Sequence, residues 1–476
     1  MPSDPHRWRV LAVVGVAFFM TILDVSIVNV ALPSIGRALE FSRENLQWVV
    51  TAYAIAFGGF LMLGGRAADL LGRRRVFIVG VALFTIASLV CGLAESEGTL
   101  IAARAVQGLG GAIISPAALS IVTTSFEEGA ERNKALGIWG ALGGSGAAVG
   151  VLAGGVLTKY LGWEWIFFVN VPVGAAVLAL TTRIVHESRR ETARRRYDPL
   201  GAVTVTAGLV LLVYALSKAP DVGWATARTI LFFIAAAALL GAFLVIERTV
   251  EQPLMPFRIF RVRTVAGANV VAALLGVVLF ANFFLLTLYV QNVLHYSALK
   301  TGITFVATAG TAVLSAGVAQ AFATKFGPKP VMALGLSLMT GGMLWYSQIP
   351  VDGSYVADLL PGYIMVGVGI AFSFVPVQIA ALAGVAEREA GLASGLINTS
   401  QQIGGGLGVA IASTIFTSHF NSLVREGKPM PVALTGGYQW AFWGLAAFGV
   451  LALVAALVLI RQKELAEVPA VAPVGG

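Results

Sequence analysis

A single carboxylate, Asp24, stands within the apolar stretch MTILDVSIVNVALP near the start of the chain. At the middle of a lipid-embedded helix an acidic side chain costs about 2.5 to 3.5 kcal/mol on insertion scales. A proton on the carboxyl group, or a cation beside it, offsets that cost. The position of Asp24 therefore predicts either reversible proton binding or a buried ion pair.

The basic residue that lies within another apolar stretch is Arg104, in LIAARAVQGLGGA. At 100° per residue, a helix places Arg104, Gln107, Gly108 and Gly111 on one stripe of polar and small side chains. A rise of 1.5 Å per residue puts Asp24 and Arg104 in the same half of the membrane if their helices run in opposite directions. Two interpretations are open, a structural ion pair or a protonatable switch. We favour the switch, in which Asp24 and Arg104 are the proton-coupling residues.

A second group of charged residues lies in the loop GRAADLLGRRR. We interpret Gly65 as the end of a helix and Gly72 as a turn glycine. Asp69 can accept hydrogen bonds from a neighbouring helix N-terminus, or from Arg73 and Arg74, in one conformation and lose them in another. This predicts a conformational latch; the alternative is that the arginines only fix the topology.

Three glycines, Gly146, Gly150 and Gly154, recur every four residues in GGSGAAVGVLAGG. Each glycine in a helix interior costs about 1 kcal/mol relative to alanine in water, so three on one face predict close packing against another helix. That helix belongs either to the same half of the molecule or to the other half.

Amide and aromatic side chains within the apolar stretches are candidates for a substrate cavity. A chamber lined by such groups suits large amphipathic ligands without demanding one shape. Each of these residues has an alternative role in a hydrogen bond between helices. The candidates are Tyr53, Gln107, Asn282, Gln378 and Gln401.

The composition places these residues in a lipid bilayer. Of the 476 residues 57% are hydrophobic and 12% charged, against about 25% charged in soluble domains. Cys91 is the only cysteine, which excludes a disulfide within the chain, and the four histidines are not spaced as metal ligands. We therefore expect no metal site and no cofactor.

Fourteen apolar runs are long enough to cross a bilayer core of about 30 Å. We interpret the first as a retained span, because it is longer than the core of a signal peptide. The predicted spans are 8–33, 46–65, 75–94, 99–124, 134–158, 164–186, 199–217, 226–248, 264–291, 300–324, 329–349, 356–384, 391–419 and 438–461.

The basic residues set the predicted orientation. With the N-terminus inside, only eight of the 32 Lys and Arg fall in the outside loops, so both termini are predicted to be cytoplasmic. RRETARRR and FRIFRVR carry much of the excess. They are either an anionic-lipid or nucleic-acid site or loops that orient the chain, and we favour orientation, with no nucleic acid as partner.

An internal repeat divides the chain. GRAADLLGRRRVFIVG at 65–80 corresponds to QAFATKFGPKPVMALG at 320–335, an offset of about 256 residues. Such parallel repeats are typical of alternating-access transporters. The predicted fold is an all-α integral membrane protein with two pseudo-symmetric six-helix bundles, at 8–186 and 251–461. A linker at 187–250 holds two extra transmembrane helices, and 462–476 form a cytoplasmic tail.

Over nearly the whole chain these motifs resemble the major facilitator superfamily, and within it the fourteen-helix branch of drug:proton antiporters. LDVSIVNVALP resembles the branch's first-helix signature, with Ser26 where Thr is usual. GRAADLLGRRR and LIAARAVQGLGGA match the loop and fourth-helix motifs, and PLMPFRIFRVRTVAGAN resembles the segment that leads into the second half. The sequence departs from the antiporter motif of the fifth helix, where Val151 follows Gly150 in place of proline.

The resemblance implies proton-driven efflux of lipophilic or cationic small molecules, as in multidrug or antibiotic export, with Asp24 and Arg104 at the family's acid and arginine positions. It implies a monomer in the plasma membrane with small-molecule substrates and protons as partners. The alternative within transport is export of an endogenous metabolite, lipid or peptide. A membrane enzyme is disfavoured because no catalytic constellation is present, and a channel because it needs a continuous polar pore.

Overall fold

The computed structural model describes residues 6–126, 130–187, 198–250, 253–255, 257–382, 385 and 390–461. Over these ranges the chain is almost entirely α-helical, without a strand. The N-terminal half holds six long helices: α1 (Arg7–Ala38), α2 (Trp48–Leu71), α3 (Arg73–Gly92), α4 (Glu97–Ser125), α5 (Ala130–Tyr160) and α6 (Trp165–Ile184). Helix α6 is broken near its start into two pieces, Trp165–Phe168 and Asn170–Ile184.

Eight further long helices follow. The inserted pair is α7 (Pro199–Val222) and α8 (Ala227–Thr249). The C-terminal half holds α9 (Arg263–Asn292), α10 (Ala298–Phe326), α11 (Pro328–Tyr346), α12 (Leu360–Leu382), α13 (Ala390–Arg425) and α14 (Met430–Leu459). Short elements lie at Arg43–Leu46, at the 3₁₀ segment Phe257–Arg261 and at the π-helical turn Tyr355–Leu359 before α12.

These fourteen helices confirm the predicted fold class. In the described part of the chain, twelve have the length and apolarity needed to cross a membrane. The other two are α5, whose apolar part is the shorter Val149–Tyr160, and α11, which begins with Pro328, Lys329 and Pro330. An even number of crossings places the start of α1 and the end of α14 on one face of the bundle, called here the terminal face. The predicted bundle boundaries, and the tail at 462–476, which lies outside the described residues, stay predictions.

Several predicted helix ends are wrong by five or more residues, and close packing explains two of them. Helix α2 runs past Gly65 to Leu71, because a Cβ at Gly65 would come within 3.3 Å of Pro116 and the glycine serves close packing with α4. Helix α14 begins at Met430 rather than near 438. Gly437, just before the predicted start, lies inside the helix, where a Cβ would approach the Phe416 ring at 2.8 Å.

The three spaced glycines of α5 all pack against α1, within the N-terminal half. A Cβ at Gly146 would meet Ile22 at 3.0 Å, and one at Gly154 would meet the Ile27 carbonyl oxygen at 2.7 Å. At Gly150 the neighbour is the Ser26 hydroxyl, which itself donates to the Gly146 carbonyl at 3.4 Å. Backbone contact of this kind fixes the position of α1, and with it the position of Asp24.

Among the described residues, the contacts between the two halves include three pairs of helices. In the first, α2 packs on α13, where a Cβ at Gly58 would lie 3.0 Å from Ile403. In the second, α5 packs on α10, where a Cβ at Gly155 would lie 2.9 Å from the Ala298 carbonyl oxygen. In the third, Gln291 of α9 donates to the Val30 carbonyl of α1 at 2.8 Å. The last two contacts lie toward the face opposite the terminal face.

The inserted pair lies against the seam between α2 and α13. Gln47, just before α2, donates to the Ser217 hydroxyl of α7 at 2.5 Å, and Thr414 of α13 donates to the Leu216 carbonyl at 3.1 Å. Helix α7 therefore contacts both halves. Helix α8 packs on α7, with a Cβ at Gly208 only 2.9 Å from Leu240.

The α1–α5 contact gives a test of this packing. Gly154→Val is expected to lower the free energy of unfolding by about 1 to 3 kcal/mol, because its side chain overlaps the Ile27 backbone. Gly241→Ala in α8 is the matched control, since no atom lies within 4 Å of its Cβ position. Unfolding followed in detergent checks both variants, and equal stability of the two would contradict the packing.

Candidate functional site

Asp24 lies at the centre of a buried polar cluster in the N-terminal half. Its Oδ2 accepts a hydrogen bond from Arg104 Nη1 at 2.5 Å. Its Oδ1 accepts from Gln107 Nε2 at 2.8 Å and from Asn170 Nδ2 at 3.1 Å. Both carboxylate oxygens are thus bound, and the predicted pairing of Asp24 with Arg104 is present as a direct ion pair.

The donors to Asp24 are themselves held in place. Arg104 Nε donates to the Val49 carbonyl at 2.9 Å, and its Nη1 also donates to Gln107 Oε1 at 2.6 Å. Ser88 accepts from Gln107 at 3.1 Å and from Asn170 at 3.0 Å, and donates to the Phe167 carbonyl at 2.9 Å. The cluster around Asp24 therefore ties α1, α2, α3, α4 and α6 together.

Two aromatic rings pack against the Arg104 side chain of this cluster. The Arg104 guanidinium lies 4.4 Å from the centre of the Tyr53 ring and 5.7 Å from that of Phe167, within range of a cation–π interaction. Asp24, Arg104 and Tyr53 are all at most 2% exposed. The Tyr53 hydroxyl is buried and has no hydrogen-bond partner among the described residues.

The glycines of the α4 stripe bring α2 against the cluster. A Cβ at Gly108 would collide with the Tyr53 backbone, and one at Gly111 would come within 2.8 Å of the Tyr53 hydroxyl. These two positions admit only a bare backbone. The helical period that predicted the Arg104 stripe therefore places a charged side chain and a close-packing surface on the same face of α4.

The cluster is a buried site at which one proton would change the charge balance. With Asp24 ionised, its charge is neutralised by Arg104 and its oxygens accept three hydrogen bonds. A proton on the carboxyl group cancels the attraction and converts one acceptor oxygen into a donor. The arrangement is thus suited to two alternative hydrogen-bond patterns, one for each protonation state.

Ser88 and Asn170 were not predicted. Both are polar residues inside predicted spans, in TIASLVCG and FFVNVP, which was the available signal. Asn170 stands at the break between the two pieces of α6, and this turns its side chain to Asp24. Cys91 also contacts the cluster, with its thiol 3.6 Å from Gln107 Oε1.

The substrate-cavity candidates occupy different environments. Tyr53 and Gln107 belong to the polar cluster. Asn282 of α9 is buried, and its Oδ1 has no hydrogen-bond partner among the described residues. Gln378 and Gln401, on α12 and α13, are half-buried. The structure thus brings two of the five to the Asp24–Arg104 pair and leaves three in the C-terminal half.

A cavity of about 420 Å³ opens between α7, α13 and α14. Trp224, His419 and Trp440 contribute its aromatic wall, and none of the predicted substrate residues lines it. Within the described ranges no three His, Cys, Asp or Glu side chains are grouped to hold a metal ion.

The loop motif forms a cap at the terminal face. Gly72 has a φ of +109°, which favours glycine, and starts the turn into α3. Glu187, just after α6, accepts from the backbone N–H groups of Arg74 and Arg75 at 3.2 Å each. The Arg74 guanidinium donates to the Thr182 carbonyl at 2.7 Å. Glu187 was not predicted, and the side chain of Asp69 lies outside the described residues.

Comparison with known proteins identifies relatives along nearly the whole chain. The family model described as Major Facilitator Superfamily matches residues 14–409. The puromycin resistance protein pur8 of Streptomyces alboniger is 40% identical over 467 residues, which cover 97% of this chain and 92% of that protein. The cephamycin export protein CmcT of Amycolatopsis lactamdurans is 38% identical over 435 residues, which cover 91% and 88% of the two chains.

A solved structure shares the fold at low sequence identity. It is a bacterial homologue of the human lysosomal transporter Spinster in an inward-facing, unoccupied conformation. The TM-score is 0.69 at 18% identity, and the match covers 97% of this chain and 99% of the other.

The geometry of the cluster predicts that Asp24 and Arg104 are strongly coupled in their contributions to the free energy of unfolding. Arg104→Met is expected to lower the free energy of unfolding by about 3 to 5 kcal/mol, because it leaves the Asp24 charge buried and unpaired. Asp24→Asn introduced into that variant is expected to restore part of the loss. Unfolding of the parent, the two single variants and the double variant measures the coupling, and additive effects would contradict the ion pair.

Proposed function

The chain belongs to the major facilitator superfamily, and on that premise we propose that it exports lipophilic or cationic small molecules, including antibiotics, in exchange for protons. As a multi-pass membrane transporter it is not an enzyme. The observation that supports the proton exchange is the buried Asp24, whose negative charge is balanced by the Arg104 guanidinium. The direction of transport is supported by the names of the relatives, which are resistance and export proteins.

In this mechanism the transporter binds a proton and the substrate alternately. Protonation of Asp24 removes its attraction to Arg104, while Arg104 keeps its hydrogen bonds to the Val49 carbonyl and to Gln107. The two protonation states then favour different arrangements of α1 and α4, which is the differential interaction that a conformational change requires. Proton entry from outside and release inside drive alternating access.

The substrate binds between the halves, near the amides of the C-terminal half. Gln378 and Gln401 are half-buried on α12 and α13 and offer hydrogen bonds without a fixed charge. Asn282, with its unpartnered Oδ1, is an additional acceptor that a conformational change can expose. A site of amides and aromatic rings accepts ligands of varied shape.

A second candidate is export of a compound that the host cell itself makes. One relative, at 38% identity, is named the cephamycin export protein CmcT, and this name supports the second candidate. The same proton chemistry serves both candidates, and they differ only in the substrate.

We place the terminal face in the cytoplasm and the protein in the plasma membrane as a monomer. The basic loops of the sequence support this orientation. The cap at this face, in which Glu187 holds the start of α3, then lies inside the cell. Asp69, Arg73 and Arg74 act there as a latch that closes the cytoplasmic side in one conformation.

Asp24→Asn is expected to abolish accumulation of substrate against its gradient while substrate binding persists, because the amide cannot take up and release a proton. Proteoliposomes with an imposed pH gradient and a panel of cationic dyes measure transport, and equilibrium binding is measured on the same variant. Asp352→Asn, in an exposed loop, is the matched control. Transport by Asp24→Asn at the parental rate would show that Asp24 is structural.

The latch is tested by labelling a reporter cysteine from each side of the membrane. Asp69→Asn is expected to change the ratio of the two conformations by about 5- to 150-fold, the factor to which typical coupling free energies correspond. Asn398→Cys on α13 is an exposed reporter, in a background where the buried Cys91 is replaced by Ser. If Asp69→Asn leaves the labelling of the reporter from both sides unchanged, Asp69 takes no part in a latch.

A further inference from the structure

Two buried carboxyl groups meet where the chain enters and leaves the inserted pair. Asp198 precedes α7, and its Oδ1 accepts from the Gly201 backbone N–H at 2.7 Å, which caps that helix. Glu247 lies in the last turn of α8. Both side chains are about 2% exposed, although neither was predicted as a functional residue.

The two acids face one small buried space. The carboxyl group of Asp198 is within hydrogen-bonding reach of that of Glu247, and its charge acts on it. A Cβ at Gly201 would touch Asp198 Oδ2 and lie 3.0 Å from Glu247 Oε1, so one small space faces both groups. Gly201, which has no side chain, leaves that space free for the contact.

Three of the four carboxyl oxygens have backbone donors. Glu247 Oε1 accepts from the Leu254 N–H at 3.2 Å and Oε2 from the Met255 N–H at 2.9 Å. Asp198 Oδ1 accepts from Gly201, but Asp198 Oδ2 is buried with no donor among the described residues. An ionised carboxylate only accepts hydrogen bonds, so the contact becomes a hydrogen bond only when one of the two acids carries a proton.

The charged groups around this junction include three arginines among the described residues. Arg66 of α2 donates to the Pro253 carbonyl at 3.4 Å, Arg248 of α8 lies 5.8 Å from the centre of the Phe257 ring, and Arg258 follows in the 3₁₀ segment. The basic residues of 189–196 and the acid at 251 lie outside the described residues. Two ionised acids in one buried space would repel each other, and a shared proton removes that repulsion.

We propose that Asp198 and Glu247 share one proton at neutral pH and form a second proton-binding site, separate from Asp24. The shared proton makes a hydrogen-bonded clamp between the start of α7 and the end of α8. Because Glu247 also holds the backbone of Leu254 and Met255, the clamp fixes the segment that leads into the C-terminal half. Release of the proton opens the clamp, so the attachment of this segment depends on the pH at the terminal face.

Infrared spectroscopy of the full-length protein tests the shared proton. The parent is expected to show, at neutral pH, the C=O stretch of a protonated carboxyl group that is lost in both Asp198→Asn and Glu247→Gln. Each amide donates an N–H to the remaining carboxylate, and asparagine is as good an N-cap as aspartate, so both variants are expected to fold. Asp24→Asn and the exposed Asp352→Asn are controls that keep the band. A band that survives both amide substitutions, or that is missing from the parent, would overturn the proposal.

Hydrogen exchange at the Leu254 and Met255 amides gives a second readout. In the parent their protection factors are expected to fall about tenfold per pH unit while the closed clamp holds a proton that the open state has lost, and to level off above the pH at which the clamp itself releases the proton, as linkage to one proton requires. In Asp198→Asn the protection is expected to stay constant with pH, because the asparagine amide replaces the proton as donor to Glu247. Equal pH dependence in parent and variant, or none in the parent, would contradict the clamp.

Discussion

The ion pair between Asp24 and Arg104 is the interaction on which the N-terminal half depends. Two charges that are taken out of water lose their hydration, and the loss is offset only where every polar atom finds a partner. Asp24 meets this condition with three hydrogen bonds, and Arg104 meets it through the Val49 carbonyl, Gln107 and the Tyr53 ring. Five of the first six helices must therefore keep their relative positions to within hydrogen-bonding tolerance.

Glycines make this arrangement possible. A side chain at Gly108 would displace the α2 backbone, and one at Gly150 would displace the α1 backbone near Leu23. In a membrane, helices associate through close packing and polar contacts rather than through release of water, so small residues at the contact are an advantage. The same close approach that packs the helices brings Asp24, Arg104 and their donors within reach of one another.

The sequence predicted the fold class and the Asp24–Arg104 pair because both follow from one-dimensional signals, namely the length of apolar runs and a charge inside them. Asn170 and Glu187 could not be found in the same way. Asn170 reaches Asp24 because α6 is broken at its start. Glu187, which caps α3, is 113 residues away in sequence from Arg74, whose backbone N–H donates to it. Gly65 was misread for a related reason, since its packing against Pro116 is a contact between helices and leaves no local signal.

The position of the cluster determines how a change at Asp24 can reach the other half. Its described members all lie in the N-terminal half, so a change at Asp24 reaches the C-terminal half only through helices that contact both. Arg104 holds the Val49 carbonyl at the start of α2, and two residues later Thr51 donates to the Gly406 carbonyl of α13 at 3.5 Å. On α1, Val30 lies six residues beyond Asp24 and accepts from Gln291 of α9. These two contacts between the halves are thus within two turns of Asp24 or of the Val49 carbonyl that Arg104 holds, and a shift of either helix must change them.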